Sequence, residues 1–296
     1  AAEGKNSALS GTLRYIPLRD LTEEEAVSLA ERDLADADFI AEKEGRGLLI
    51  SEDESLCILL NGKDHLLIRA FAPGFALKRA YAAADSVDSV LDRRLSFAFD
   101  SRLGYLTRNI SSLGTGMRAS LVLHLPALED SGSMPRLSSS LSRLGMSLHG
   151  FDLSREETRG AIYRLSNRMT LGLSGREAIA NLTGIAEQIL AQEREGRKEL
   201  AGSLGVQDTV SRSLGLLESA RLLKNSEFLE LISLVRFGIS AGFFPRLRYE
   251  TIDELIARVQ PATLSAASGE DLSLEKLRAL RARIVRETLG EKREGA

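Results

Sequence analysis

The sequence predicts an α+β protein that ends in an all-helical region. Three observations carry that reading. Short β-rich runs and amphipathic helices are mixed over the first part of the chain, without the strict βαβ alternation of a doubly wound sheet. Neighbouring apolar runs are joined by tight polar turns, which favours antiparallel pairing. From Gly205 onward the pattern is helical, broken only by short polar stretches. Two domains are therefore expected, residues 1–204 and 205–296, and 296 residues at 43% hydrophobic content suffice to build both cores.

Each element has a local reason. Thr22-Glu23-Glu24-Glu25 is a capping box, with Thr as N-cap and Glu three positions on. It predicts a helix running to about Lys43, ended by Gly45 and Gly47. The runs "LLIS", "SLCILL" and "HLLIRAF" read as strands, and Asn61-Gly62 makes the last two a hairpin. Pro73-Gly74 breaks the strand pattern. "ALKRAYAAADSVDSVLDRRL" is helical, with Ala80, Ala84, Val87 and Leu91 on one face. "LSFAFD", "ASLVLHL", "MSLHGF" and "AIYRLSNRMTLG" read as strands. "MPRLSSSLSRLG" reads as a helix with Pro135 in its first turn and Gly145 at its end. "SGREAIANLTGIAEQILAQEREGRKEL" is a long amphipathic helix. Beyond it, "VSRSLGLLESARLL", "SEFLELISLVRFGISAG", "ETIDELIARV" and "SLEKLRALRARIVRETL" are helices, the last two separated by Pro261 and "SAASGED".

Composition narrows the function. A net charge of −3 and a pI near 5.8 lack the basic excess of a nucleic-acid surface. No apolar run reaches the roughly 18 residues of a membrane span, and no signal peptide is visible. A lone cysteine, Cys57, excludes an internal disulfide and fits a reducing cytoplasm. His65, His124 and His149 are scattered, so no metal-ligand spacing exists, and His124 in "LVLHLPAL" reads as a strand residue of the core. Gly114-Thr115-Gly116 has no Walker lysine after it and reads as a turn. Glu52, Asp53 and Glu54 read as a solvated loop, and the arginines of "LRALRARIVRETL" as a polar helix face.

Several stretches together resemble a known family. They are "LLISEDESLCILLNGKDHLLIRAFAPGF", "DSRLGYLTRNISSLGTGMRASLVLHLPAL", "IYRLSNRMTLG" and "EQILAQERE", followed by "SRSLGLLESARLL", "VRFGISAGF" and "LIARVQPATL". From about residue 45 to 289 the chain resembles the bacterial protein-arginine kinases, a branch of the ATP:guanidino phosphotransferases (phosphagen kinases). The resemblance implies a phosphagen-kinase-type antiparallel sheet flanked by helices, with a shortened N-terminal part, and then the helical domain particular to that branch. It implies ATP with Mg²⁺, arginines that clamp the phosphates, and carboxylates that hold and deprotonate the acceptor guanidinium.

Carried over residue by residue, the resemblance shows losses. The family hairpin N-E-E-D-H-x-R falls on Asn61-Gly62-Lys63-Asp64-His65-Leu66-Leu67, so its glutamate is Gly62 or Lys63 and its arginine is Leu67. Arg69 stands two residues beyond Leu67. The reactive cysteine falls at Asn109, while Gly114, Thr115, Gly116 and the clamp arginine at Arg118 are kept. The loop R-G-x-Y-G-E-G-x-E-A falls on His149 through Thr158, replacing its arginine by His149 and its glutamate by Ser154. "LSGTLRY" is similar to the arginine segment S-S-R-I-R-L, which places its two arginines at Thr12 and Arg14. The phosphoarginine pocket of the family's helical domain falls at Leu277-Arg278, without its acid, with Arg281 kept and read as solvated.

No catalytic position is thus intact, since they fall at Gly62, Lys63, Asn109 and Ser154. Arg14 and Arg118, with His65 and His149, are the candidate nucleotide-binding residues, and binding of ATP and Mg²⁺ is expected to be weak or lost. The expected function is that of a cytoplasmic, homodimeric, non-catalytic relative that binds a protein partner: an active kinase paralogue, a Clp-type chaperone system or a zinc-finger activator. Neither nucleic acid nor membrane is an expected partner. The alternative is an active protein-arginine kinase in which Asp64, Asp152, Glu156 or Glu157 substitutes. A third reading is a reader of arginine or phosphoarginine peptides.

Overall fold

In the computed structural model, which describes residues 13–151, 160–270 and 272–290, the first four strands pair in sequence order. β1 (Arg14–Pro17), β2 (Gly47–Ile50), β3 (Leu56–Leu60) and β4 (Leu66–Ala70) form one antiparallel sheet. Alternation sets its faces. Leu48, Ile50, Cys57 and Leu59 bury against Leu29, Leu34 and Phe39, carried by α1 (Glu23–Glu31), α2 (Ala37–Ile40) and the link between them. Leu56 and Ile58 point the other way, against Val87 and Leu91 of α3 (Leu77–Asp92).

The capping box forms as predicted: Thr22 Oγ1 accepts from Glu25 N–H at 3.2 Å, and Glu25 Oε2 accepts from Thr22 N–H at 2.8 Å. Its helix, however, stops at Glu31 and does not run to Lys43. Asp33 takes a left-handed backbone, φ 61°, and the N–H groups of Leu34 and Ala35 both donate to Leu29 O. Leaving the helix buries Leu34 to 2% exposure against the sheet, and that burial outweighs the lost helical turns. The hairpin loop spans residues 61–65, with Asn61 left-handed at φ 59° and its N–H bonded to His65 O at 2.9 Å.

Two further predicted strands are shorter than the sequence suggests. The run 95–100 contracts to β5 (Phe99–Asp100), paired with β6 (Gly104–Tyr105), and Phe97 and Phe99 pack edge-on against Tyr105. The run 161–172 is extended only in β9 (Ile162–Asn167). There the Asn167 side chain accepts from Ala119 N–H and donates to Met117 O and Met169 O, which fixes a bend. β9 lies between β7 (Ser120–His124) and β8 (Met146–Gly150), again antiparallel. The described residues thus hold three antiparallel sheets where one was expected. Leu121, Leu123, Leu148 and Leu165 on one face of the last sheet bury against α5 (Met134–Arg143) and α6 (Gly175–Ala201), and α4 (Pro126–Asp130) closes that core through Leu128.

Past α6, α7 (Leu204–Ser219), α8 (Asn225–Ser240), α9 (Tyr249–Arg258), α10 (Pro261–Ser268) and α11 (Leu274–Gly290) build a separate core around Leu217, Phe228, Ile232, Ile252 and Val285. Arg281 belongs to it. It is 2% exposed, not solvated, because its guanidinium donates to Val259 O at 2.9 Å and Leu223 O at 3.0 Å, the orphan carbonyls between helices. Burial lowers its pKa to about 10, which leaves it charged at neutral pH.

Two polar junctions join the helical part to the rest. Glu31 accepts from the N–H groups of Ala262 and Thr263 at the start of α10, at 2.9 and 2.8 Å. At the second, the Arg197 guanidinium donates to Glu193, Ser240, His124 O and His124 Nδ1. A guanidinium only donates, so His124 carries its proton on Nε2 and donates it to Ser233 Oγ at 2.8 Å. Burial, and next the Arg197 charge, hold the His124 pKa well below the usual value. A His that must stay neutral when folded but charges when unfolded lowers stability as pH falls below about 6.5. Thermal melts taken from pH 7.5 down to 5 should therefore show a falling midpoint, and His124→Gln should show a smaller fall over the same window. Arg197→Ala removes the cation beside the Glu193 carboxylate, which is 1% exposed and keeps only the Ala127 and Leu128 N–H groups, and should cost about 3 kcal/mol by urea denaturation.

Candidate active site

The face of the β7-β9-β8 sheet that looks away from the core carries the polar positions. Register places Ser120 and Val122 of β7, Arg164 and Ser166 of β9, and Ser147 and His149 of β8 together on it. His149 and Arg164 are direct cross-strand partners, so their Cβ atoms lie about 5 Å apart. Arg164 stacks over the Phe151 ring at 4.7 Å and reaches Asp33 Oδ2 at 2.6 Å. In the first sheet, Leu67 and Arg69 share the face of Leu59 and Cys57. Arg69 donates to Asp33 O at 2.8 Å and pairs with Asp36 at 2.5 Å. The Cys57 thiol beneath is buried and pushed up to about 11, which makes it unreactive. Asp33 therefore joins one sheet to the other.

Gly62, Lys63 and Asp64 of the hairpin tip each meet a neighbour. A Cβ on Gly62 would lie 3.0 Å from the Phe39 ring. Lys63 Nζ pairs with Asp38 at 2.5 Å on the exposed surface. Asp64 Oδ1 accepts from Arg108 N–H at 3.1 Å, which docks the tip on the loop that carries Asn109. Asn109 itself caps the short turn after it by accepting from Ser111 N–H and Oγ–H. The Gly114–Gly116 loop hangs from Thr170. Thr115 N–H donates to Thr170 O at 2.9 Å, and Thr170 Oγ1 donates to Leu113 O at 2.7 Å.

The predicted residues divide accordingly. The structure brings the Asp64 tip to the Asn109 loop, and His149 to Arg164. It places Arg14 at the exposed start of β1, opposite Ile50, and brings it to none of the others. The side chains of Arg14, His65, Arg118 and His149 are exposed, with no ion pair or hydrogen bond among the described residues. Thr12, Asp152, Ser154, Glu156 and Glu157 lie outside the described residues. Sequence reasoning missed Asp33, Asn167 and Thr170. Asn167 could have been found as a polar residue ending an apolar strand; Asp33 sits in a helical pattern and gives no signal.

Comparison with known proteins decides the family. Residues 2–196 match the family model of the ATP:guanido phosphotransferase C-terminal catalytic domain, and residues 203–296 that of the protein-arginine kinase McsB C-terminal domain. The protein-arginine kinase of Syntrophomonas wolfei is 40% identical over 253 residues, 85% of this chain and 70% of that protein. That of Caldanaerobacter subterraneus is 34% identical over 98% of this chain and 86% of its own length. The chain belongs to the protein-arginine kinase family. Among solved structures, the duplicated taurocyamine kinase of Schistosoma mansoni with bound transition state analog components matches at TM-score 0.54 and 25% identity. That match covers 75% of this chain and 34% of the duplicated one. A lombricine kinase shares the fold at TM-score 0.53, over 64% of this chain and 57% of its own.

A protein-arginine kinase works in general with ATP and Mg²⁺. Among the described residues, Arg118 is an exposed cation next to the Gly114–Gly116 loop, whereas Arg69 and Arg164 are already paired with aspartates. No group of three His, Cys, Asp or Glu is placed to hold a metal among the described residues. No helix there is long and apolar enough to cross a membrane. The loop's geometry gives a direct test. Gly114 has φ 105°, and a Cβ there would meet Thr170 O at 2.3 Å, against rigid backbone. Gly114→Ala should destabilise the fold by about 2–4 kcal/mol and lower the thermal midpoint.

Proposed function

We propose that this chain is a protein-arginine kinase family member that has lost phosphoryl transfer and acts in the cytoplasm by binding a protein partner in protein quality control. The hairpin tip carries the reading. Phosphoryl transfer to a guanidinium is mainly positioning and charge stabilisation, and the cationic acceptor needs a carboxylate to hold it and take its proton. In the tip, the family's glutamate position offers either a glycine packed against Phe39 or a lysine. The one acid there, Asp64, accepts from Arg108 N–H through Oδ1 and so is tied to the neighbouring loop. Loss of a general base alone costs about 10²–10⁴ in rate. A lysine presented to an incoming guanidinium adds repulsion, softened here because Lys63 is exposed and paired with Asp38.

The alternative is an active protein-arginine kinase with rearranged groups. Relatives up to 40% identical that carry that name favour it. One experiment separates the two. The protein is incubated with Mg-ATP and an arginine-rich protein, and phosphoarginine is counted by mass spectrometry beside a no-enzyme control. Counts equal to the control are expected; phosphoarginine above it, lost in Arg118→Ala, would sink the proposal and establish the alternative.

A further inference from the structure

The helix-covered side of the β7-β9-β8 sheet, opposite the open face, holds a cavity of about 540 Å³, within the size range of ligand clefts. It opens where the turn after α5 meets the end of β9 and the first half of α6. Leu144, Met169, Leu173 and Ile185 give it apolar walls. Leu144 and Met169 are 61% and 54% exposed, so the apolar lining continues to the surface. Met169 lies across the left-handed Gly145, where a Cβ would meet its Sδ at 2.7 Å.

One wall is a stripe of α6. Asn181, Gly184, Ile185 and Gln188 follow the i, i+3, i+4, i+7 spacing and share a helix face. Glycine is a poor residue inside a helix. Gly196, further along α6, has a packing reason: a Cβ there would lie 2.9 Å from the Ala127 Cβ. Gly184 has none, since a Cβ would meet nothing within 4 Å. What its bare backbone supplies is depth in the cavity wall. Asn181 and Gln188 flank this notch, about 10 Å apart along the helix axis. Both are exposed, and neither side chain is hydrogen-bonded among the described residues. Asn167 also reaches the cavity, but its partners are Ala119 N–H, Met117 O and Met169 O.

The rim is basic although the chain is acidic overall. Arg143 precedes Leu144, Arg168 precedes Met169, and Arg176 stands one turn before Ala180 of the cavity wall. All three are exposed, and none is in an ion pair among the described residues. Over residues 143–146, 167–173 and 176–188 the only acids are Glu187 and Glu177, and Glu177 is held in the Ser174 capping box. We propose that this cavity docks an extended segment of a partner protein, with one apolar side chain in the Gly184 notch and carboxylates on either side of it. A carboxamide offers both donors and an acceptor, so Asn181 and Gln188 suit the N–H and C=O groups of a passing main chain. The arginines suit flanking carboxylates. The inference goes beyond the function proposed above, because this cavity and the open face lie on opposite sides of the sheet.

The test is fluorescence polarisation with a blocked, dye-labelled peptide, Glu-Asp-Leu-Asp-Glu. Two controls carry the same dye: Glu-Asp-Ser-Asp-Glu and Lys-Lys-Leu-Lys-Lys. The acidic leucine peptide should bind at least tenfold more tightly than either control. Gly184→Leu fills the notch with a better helix former, so it should weaken binding at least tenfold without lowering the thermal midpoint. Arg143→Ser with Arg168→Ser should remove most of the preference for the acidic peptide over the lysine peptide. Equal binding of the leucine and serine peptides, equal binding of the acidic and lysine peptides, or undiminished binding by Gly184→Leu overturns the proposal. Asn181→Ala with Gln188→Ala gives a second readout should Gly184→Leu fail to fold: binding weakened at least fivefold supports the site, and unchanged binding overturns it. The phosphoarginine assay reads transfer at the open face, so either result there leaves this one standing or falling by itself.

Discussion

No strand ladder joins the first sheet to the β7-β9-β8 sheet, so what links them lies outside the strands' own hydrogen bonds. Here the connection is ionic: Arg69 of one sheet and Arg164 of the other meet at Asp33. The three groups are partly shielded, with side-chain exposures of 16%, 32% and 29%, so their attraction is screened less than that of a surface pair such as Lys63–Asp38. The rest of the open face depends on this meeting. It leaves both arginines paired within the protein.

Much of the fold is legible in the sequence because it is set by local rules. The capping boxes at Thr22 and Ser174 lie where Thr or Ser is followed three residues on by Glu. The hairpin follows from Asn-Gly between apolar runs, and the two sheet faces follow from alternation. What is not legible depends on partners far along the chain. Nothing local says that helix α1 should stop at Glu31; the burial of Leu34 against a sheet formed later in the chain does. Arg281 reads as one more charge on a polar helix face until the carbonyls of Val259 and Leu223 are placed beside it.

The candidate site shows the same division. Resemblance says where a family motif falls on this sequence, because that is a matter of residue identity. It does not say what the replacements do. Lys63 turns outward to Asp38, Asn109 becomes a turn cap, and Asp64 becomes a backbone acceptor. Each substituted residue has taken up a structural task with its neighbours. The Gly114–Gly116 loop is tied to Thr170, while Arg118 beyond it has no ion pair among the described residues.

The cap that Glu31 supplies to α10 has a consequence for the order in which the chain can complete itself. Donor and acceptor are 231 and 232 positions apart. During synthesis from the N-terminus, α1 and its sheet emerge long before the helix they cap exists. Closing so long a loop carries an entropic cost that must be met before any contact returns it. The junction is thus among the last to form, and until it does the Glu31 carboxylate stays free in solvent. A chain in which α10 has not formed leaves Glu31 without the two N–H groups it accepts from.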